Sequence, residues 1–244
     1  MRTFSLFLSL FVVVGALAWA QSGLQTDTFK TSSGDLQITF IGHATLMLRH
    51  QNLVLHVDPV SQYADYATVP KADIVLVTHD HGDHLDPKAI EAIRTEKTVL
   101  VGTANCAPRV TGMAAMSNGE SRSVHGLRIE AVPAYNIVNK SRTGEPFHPK
   151  GDGNGYVITF GDKRVYVAGD TEDVPEMKAL RNIDIAFLPM NLPYTMTPEM
   201  VAEGARTFAP KILYPYHYGN TDTSKLTALL AGLPGIEVRI RDLR

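Results

Sequence analysis

The chain has 244 residues, 44% of them apolar, with 23 Lys and Arg against 25 Asp and Glu. That size and balance describe one ordinary globular domain, and 19 Gly with 14 Pro exclude collagen-like or low-complexity disorder. A net charge of −2 gives no footprint for nucleic acid or an anionic membrane, and a single Cys excludes an intrachain disulfide.

Residues 1–20 have the parts of a secretory signal peptide: Met1-Arg2-Thr3, an apolar run over 4–17, and the exit Ala18-Trp19-Ala20. The run is short for a membrane span. Cleavage after Ala20, export to a periplasm or outside the cell, and no stable membrane insertion are therefore expected. The polar stretch 21–35 reads as a loose lead-in, and 36–244 as the domain. Alternation and β-branched content predict strands over 36–41, 45–49, 53–57 and, fully buried, 72–78. Asp86-Pro87 then offers an N-cap and a first-turn proline for a helix over 88–96. A strand over 98–101 and a weaker helix over 107–115 complete the first half. Cys106, between them, reads as a small core residue rather than a nucleophile.

The second half repeats the alternation without a sequence repeat or a linker. Strands are predicted over 127–133, 155–160, 163–168, 183–188, 211–214 and 236–240. Helices are predicted over 174–180, from 198 to 208 behind the cap Thr197, and over 224–230. The layer options are two sheets flanked by helices or one sheet with helices on both faces.

Nine His are present, and three of them stand in Thr78-His79-Asp80-His81-Gly82-Asp83-His84, between the buried strand and the next helix. Imidazole nitrogen and carboxylate oxygen are the ligand types of zinc, manganese and iron. In extended chain His79 and His81 point the same way, and Gly82 allows a turn that aims Asp83 and His84 at a neighbouring point. The segment can thus feed two adjacent ions.

Strand followed by His-x-His-x-Asp-His resembles the signature of the metallo-β-lactamase superfamily. The likeness extends through Gly42-His43, His56-Val57-Asp58-Pro59, Gly169-Asp170-Thr171 and Tyr216-His217-Tyr218-Gly219. Within the superfamily the chain is similar to the branch of ascorbate-phosphate lactonase-like proteins and metal-dependent hydrolases. The resemblance implies an αββα sandwich with two metal ions at one edge, most simply Zn(2+), with Mn(2+) or Fe as alternatives. It implies His79 and His81 as ligands of the first ion, Asp83, His84 and His217 as ligands of the second, and Asp170 as the bridge. One position departs: Asn136 stands where a further His is usual, and His148 is the expected replacement. His43 is expected at the same edge as a catalytic or substrate-contacting residue beside Asp83 and Asp170, and Asp58 as the orienter of a ligand His. His50, His56 and His125 need no role.

Two ions sharing a water lower its pKa to about 7 and stabilise the developing oxyanion. The expected function is therefore hydrolysis of an ester, lactone or related bond of a small molecule by a metal-bound hydroxide. Asp170 as bridge disfavours a true β-lactamase, and His81 disfavours the di-iron redox branch, which places a carboxylate in that motif. Tyr135, Met190, Asn191, Tyr194 and Met196 are candidates to wall the pocket. The alternative is an exported metal-binding protein without efficient catalysis. Oligomeric state is not read from the sequence.

Overall fold

The computed structural model describes residues 23–244, so the predicted signal peptide lies outside the described residues. Strands β1 (Gln25–Thr31), β2 (Gly34–Gly42), β3 (Thr45–His50), β4 (Leu53–Val57), β5 (Ile74–Leu76), β6 (Val99–Gly102) and β7 (Ala114–Ala115) form one sheet in chain order. Strands β8 (Ser121–Val124), β9 (Leu127–Ala134), β10 (Gly153–Phe160), β11 (Lys163–Val167), β12 (Ile185–Pro189), β13 (Ile212–Tyr216) and β14 (Glu237–Val238) form the second, also in chain order. In each sheet the first four strands pair antiparallel and the rest join in parallel. Parallel neighbours need crossovers, and four of these carry the helices α1 (Pro87–Ile93), α2 (Pro175–Lys178), α3 (Pro198–Phe208) and α4 (Thr223–Leu229). Asp86 caps α1 by accepting from Lys88 N, and Thr197 caps α3 by accepting from Met200 N.

The period of two along each strand sorts the layers. On β5, Ile74 and Leu76 enter the core between the sheets, while Val75 and the following Val77 pack with Leu85, Ala89, Ile90 and Ile93 around α1. On the second sheet Phe187 and Tyr214 meet Phe40 of β2, with ring centroids 6.2 and 5.1 Å apart. Tyr166 instead points outward to Phe208 of α3. Helix, sheet, sheet, helix is thus the layer order, the αββα sandwich expected from the sequence.

Two expectations change. The segment read as a loose lead-in is, from Gln25 on, the edge strand β1, paired along its length with β2. All its side chains but Phe29 are polar because one face meets solvent, and Asp27 anchors it to the other sheet by accepting from Tyr214 Oη of β13 and, at 2.6 Å, from Arg241 Nη2 beyond β14. The helix expected over 107–115 is a single 3-10 turn, Ala107–Arg109, followed by β7. Val110, extended at φ −136° and ψ 113°, ends the turn, and Gly112 at φ 82° then redirects the chain into β7.

His56 is fully buried on β4, with Nε2 against Pro70 O at 3.2 Å and Nδ1 unpaired. Burial pushes its pKa down from 6.5 to about 4. A lowered folded-state pKa means that the unfolded chain takes up the proton first, so stability declines as pH falls from about 6.5 toward 4 and then levels off. At pH 5 the loss from this one group is about 2 kcal/mol. Urea midpoints at pH 7 and pH 5 should therefore separate less for His56→Leu than for the parent chain; an equal separation in both contradicts the assignment.

Candidate metal centre

The strand directions bring seven chain exits to one edge of the sandwich. His43 follows β2, Asp58 follows β4, the segment 78–84 follows β5, and Asn136 follows β9. Asp170, Asn191 and His217 follow β11, β12 and β13. His43, Asp58 and His217 have φ of 53°, 45° and 46°, a left-handed conformation that costs β-carbon residues energy and gathers at functional sites. Gly169, at φ 67°, leaves no room for a side chain: a Cβ there would lie 2.8 Å from Asn154 O. Two backbone bonds fasten the sheets here, His217 N to His43 O (3.1 Å) and Asn154 N to Thr78 O (2.8 Å).

Three sets of ligand atoms result, each with its members within 4.8 Å of one another: His79, His81 and His148; His79, His84 and Asp170; and His43, Asp83, His84 and His217. Asp170 sits among them. Its Oδ1 is 3.4 Å from His84 Nε2, and its Oδ2 is 3.3 Å from His148 Nε2 and 3.5 Å from His217 Nε2. Even so, His79 Nε2, His84 Nε2, Asp170 Oδ1 and both His217 ring nitrogens are buried without a hydrogen-bond partner, because the close approaches among them are misaligned. Buried polar atoms are rarely left unpaired. Converging imidazole nitrogens and a carboxylate with no other partner fit divalent cations, and the donor set suits zinc, manganese or iron.

The electrostatics agree with this fit. Burial and the neighbouring His84 push His79 well below its usual range, and burial with His148 lowers His81, so both are neutral imidazoles with a free lone pair. Burial opposes ionisation of Asp83 and Asp170, but the surrounding imidazoles outweigh it: His217 and His43 lower Asp83, and His217 and His84 lower Asp170. Burial also disfavours charge on His84, yet Asp170 and Asp58 raise it well above its ordinary value. The carboxylates around His84 thus favour positive charge at this point, and a cation bound there would take the place of its proton.

Behind the ligands stand groups that aim them. Asp58 Oδ2 accepts from His84 Nδ1 at 2.8 Å and from Thr78 Oγ1 at 2.7 Å, and Oδ1 accepts from Thr78 N at 2.8 Å. With Nδ1 carrying the proton, His84 turns Nε2 toward Asp170. Asn136, the departure from the family pattern, does the same for His148: its Oδ1 accepts from His148 Nδ1 at 2.7 Å and from His148 N at 2.8 Å. Its Nδ2 donates to Tyr194 O at 2.9 Å and to Glu172 Oε1 at 3.2 Å. Sequence reasoning missed Glu172. This fully buried carboxylate accepts from the backbone N–H of Ile137, Val138 and Asn139 at 2.6–2.7 Å and so fixes the loop that carries Asn136. Its only sequence signal is its place two residues after Asp170.

All seven expected ligands, His79, His81, Asp83, His84, His148, Asp170 and His217, meet in this cluster. His43 joins it from the side: Nε2 lies 3.2 Å from Asp83 Oδ2, and its ring lies 3.7 Å from that of His217. A cleft of about 340 Å³ opens onto the cluster, walled by Phe147, Asn191 and Tyr194 together with His81, Asp83, His148, Asp170 and His217. The expected pocket residues divide. Asn191 and Tyr194 line the cleft, whereas Met190, Met196 and Tyr135 pack into the core. Cys106 is buried, Thr103 Oγ1 donates to its Sγ at 3.3 Å, and burial pushes its thiol pKa up, which suits a core residue. His50 faces Ser33 Oγ at 3.0 Å, and His125 is an exposed turn residue at φ 47°.

A sandwich of two mixed sheets with a His/Asp cluster at one edge defines a metallohydrolase class, and comparison places the chain within it. Residues 37–217 match the family described as the Beta-lactamase superfamily domain, and the chain belongs to that superfamily. Its relatives include a UPF0173 metal-dependent hydrolase from Methanopyrus kandleri, 32% identical over 196 residues (75% of this chain, 84% of the relative). Another, from Pelotomaculum thermopropionicum, is 28% identical over 222 residues (84% and 96%). The solved structure of a candidate metal-dependent hydrolase from Parabacteroides distasonis is 52% identical, superposes with a TM-score of 0.86, and covers 91% of this chain and 100% of its own. The protein is a metal-dependent hydrolase of this group.

Proposed function

We propose that the chain is an exported hydrolase that holds two divalent cations, zinc in the first instance, between its sheets and opens an ester or lactone bond of a small molecule. The observation that carries this reading is the position of Asp170 between the other two ligand sets, within 3.5 Å of His148 on one side and of His84 and His217 on the other, with several of these atoms buried and no other partner. His79, His81, His148 and Asp170 would hold one cation, and Asp83, His84 and His217, with Asp170 between, the other. Cations bound there supply Lewis-acid polarisation of the scissile carbonyl and acidification of a water.

The chain's own residues do the rest. Asp58 and Asn136 keep the protons of His84 and His148 on Nδ1, away from the reacting side. Asp83 is 45% exposed at the cleft, and His43, by holding one of its oxygens, keeps this carboxylate ionised and fixed beside the second cation position. Asn191 and Tyr194 form the wall against which the substrate lies. Among the described residues the cleft lining contains no Ser, Thr or Cys, so water is the nucleophile the site provides for. Export rests on the segment 1–20, and among the described residues no helix is long and apolar enough to cross a membrane.

Metal analysis of the purified mature chain, with turnover assays on lactone, ester, thioester and phosphodiester panels, tests the reading. Two ions per chain with turnover of esters or lactones is the expected result. Full metal with no turnover of any class would favour the binding protein, and a phosphodiester preference would overturn the substrate assignment.

A further inference from the structure

Six large apolar side chains are exposed among the described residues, and four of them, Ile137, Val138, Leu192 and Tyr194, stand on two loops beside the cleft. The loops are stitched together: Asn136 Nδ2 donates to Tyr194 O, and Asn139 Nδ2 donates to Thr195 O at 2.6 Å. Glu172 pins the first loop from beneath through three backbone N–H groups. Phe147 meets Tyr194 edge-on at 5.0 Å, and both rings line the cleft. The apolar groups are therefore held outward by a fixed backbone: Tyr194 lines the cleft itself, and Ile137 and Val138 follow Asn136 on the loop bonded to Tyr194, where they also edge a neighbouring depression with Pro175 and Ala179. Exposed apolar surface gathered at one place marks a binding surface, whereas scattered residues do not. Among the described residues the lining also contains no Lys or Arg, so a phosphate or carboxylate on the substrate would meet no ammonium or guanidinium group there.

We propose that the cleft takes uncharged esters or lactones bearing an apolar chain or ring, which packs against Phe147 and Tyr194 and extends over Ile137 and Val138. The proposal rests on the hydrolase reading above and names the substrate class of the same site. Full burial of one methylene is worth about 0.8 kcal/mol, and half of that on an open rim gives about twofold per methylene.

Alkyl hydroxamates from acetohydroxamate to octanohydroxamate, titrated into the metal-loaded chain, measure this without requiring turnover. Affinity is expected to rise roughly 50-fold across the series, at about twofold per methylene. In Tyr194→Ser and Val138→Ser the rise should shrink severalfold with metal content unchanged. Absence of binding at every length, or affinity independent of length, overturns the proposal. A rise that is equal in the parent chain and both variants also overturns it. So does loss of a dimer in Val138→Ser without change in the series, which would assign the rim to a second copy of the chain. Failure of every ester and lactone to turn over, with the hydroxamate trend intact, would sink the ester chemistry and leave the apolar subsite standing.

Discussion

Replacing Asp170 by Ala is expected to strip metal from the purified chain and to lower kcat/KM at least ~10³-fold, about 4 kcal/mol of transition-state stabilisation. Two features set that size. The carboxylate lies within 3.5 Å of three imidazole nitrogens, from His84, His148 and His217, so its loss removes a partner from both ligand sets at once. It is also almost fully buried, so water cannot restore the missing charge, and the imidazoles left behind face one another. Metal per chain and turnover should fall together while the circular dichroism stays native. A variant that keeps both ions and full turnover would remove Asp170 from the centre.

Asp58→Asn should produce the second-largest change, although Asp58 belongs to none of the ligand sets. The pair of Asp58 and His84 is completely buried, and the carboxylate also holds Thr78 through two bonds. An amide of the same shape leaves His84 free to move its proton to Nε2, the nitrogen aimed at Asp170. Groups of this kind, standing behind metal ligands, are worth about 10–100-fold in metal affinity. Weakening a buried charged pair costs about 3 kcal/mol of stability in addition. Chelator competition measures the first and urea unfolding the second. Lost stability with unchanged metal affinity would make Asp58 a structural residue only.

The parts of the site that were legible in the sequence share a physical property: their signal is local. Residues 79–84 put three imidazoles and two carboxylates into one strand-to-helix connection, His217 directly follows a strand, and Asp170 lies three residues beyond the end of another. His148 was legible only as a replacement, since Asn136 occupies the place expected for a ligand. That Asn136 aims His148 through a bond across twelve residues has no sequence signature, because it depends on how one loop folds back. Glu172 was hidden for the same reason: a carboxylate that serves three backbone N–H groups looks like any surface Glu until the loop above it is placed. In the fold, strands with a buried face announced themselves through β-branched alternation. β1 did not, since an edge strand is held by its backbone pairing with β2 and by the anchor at Asp27 rather than by apolar side chains.

The two sheets, alike in strand order and pairing, meet at the metal-binding edge with unequal contributions. Residues up to β7 bring His43, His79, His81, Asp83 and His84, and residues beyond β7 bring His148, Asp170 and His217. Neither half holds a complete set, and the sets on either side of Asp170 are closed only when the halves are docked. An ion bound there would act as a removable cross-link between two layers already joined by their shared core, and its binding energy would add to their cohesion. Resistance to unfolding should consequently track metal activity in the surrounding medium, so that a chain released into a metal-poor compartment loses its grip first at the seam where it works.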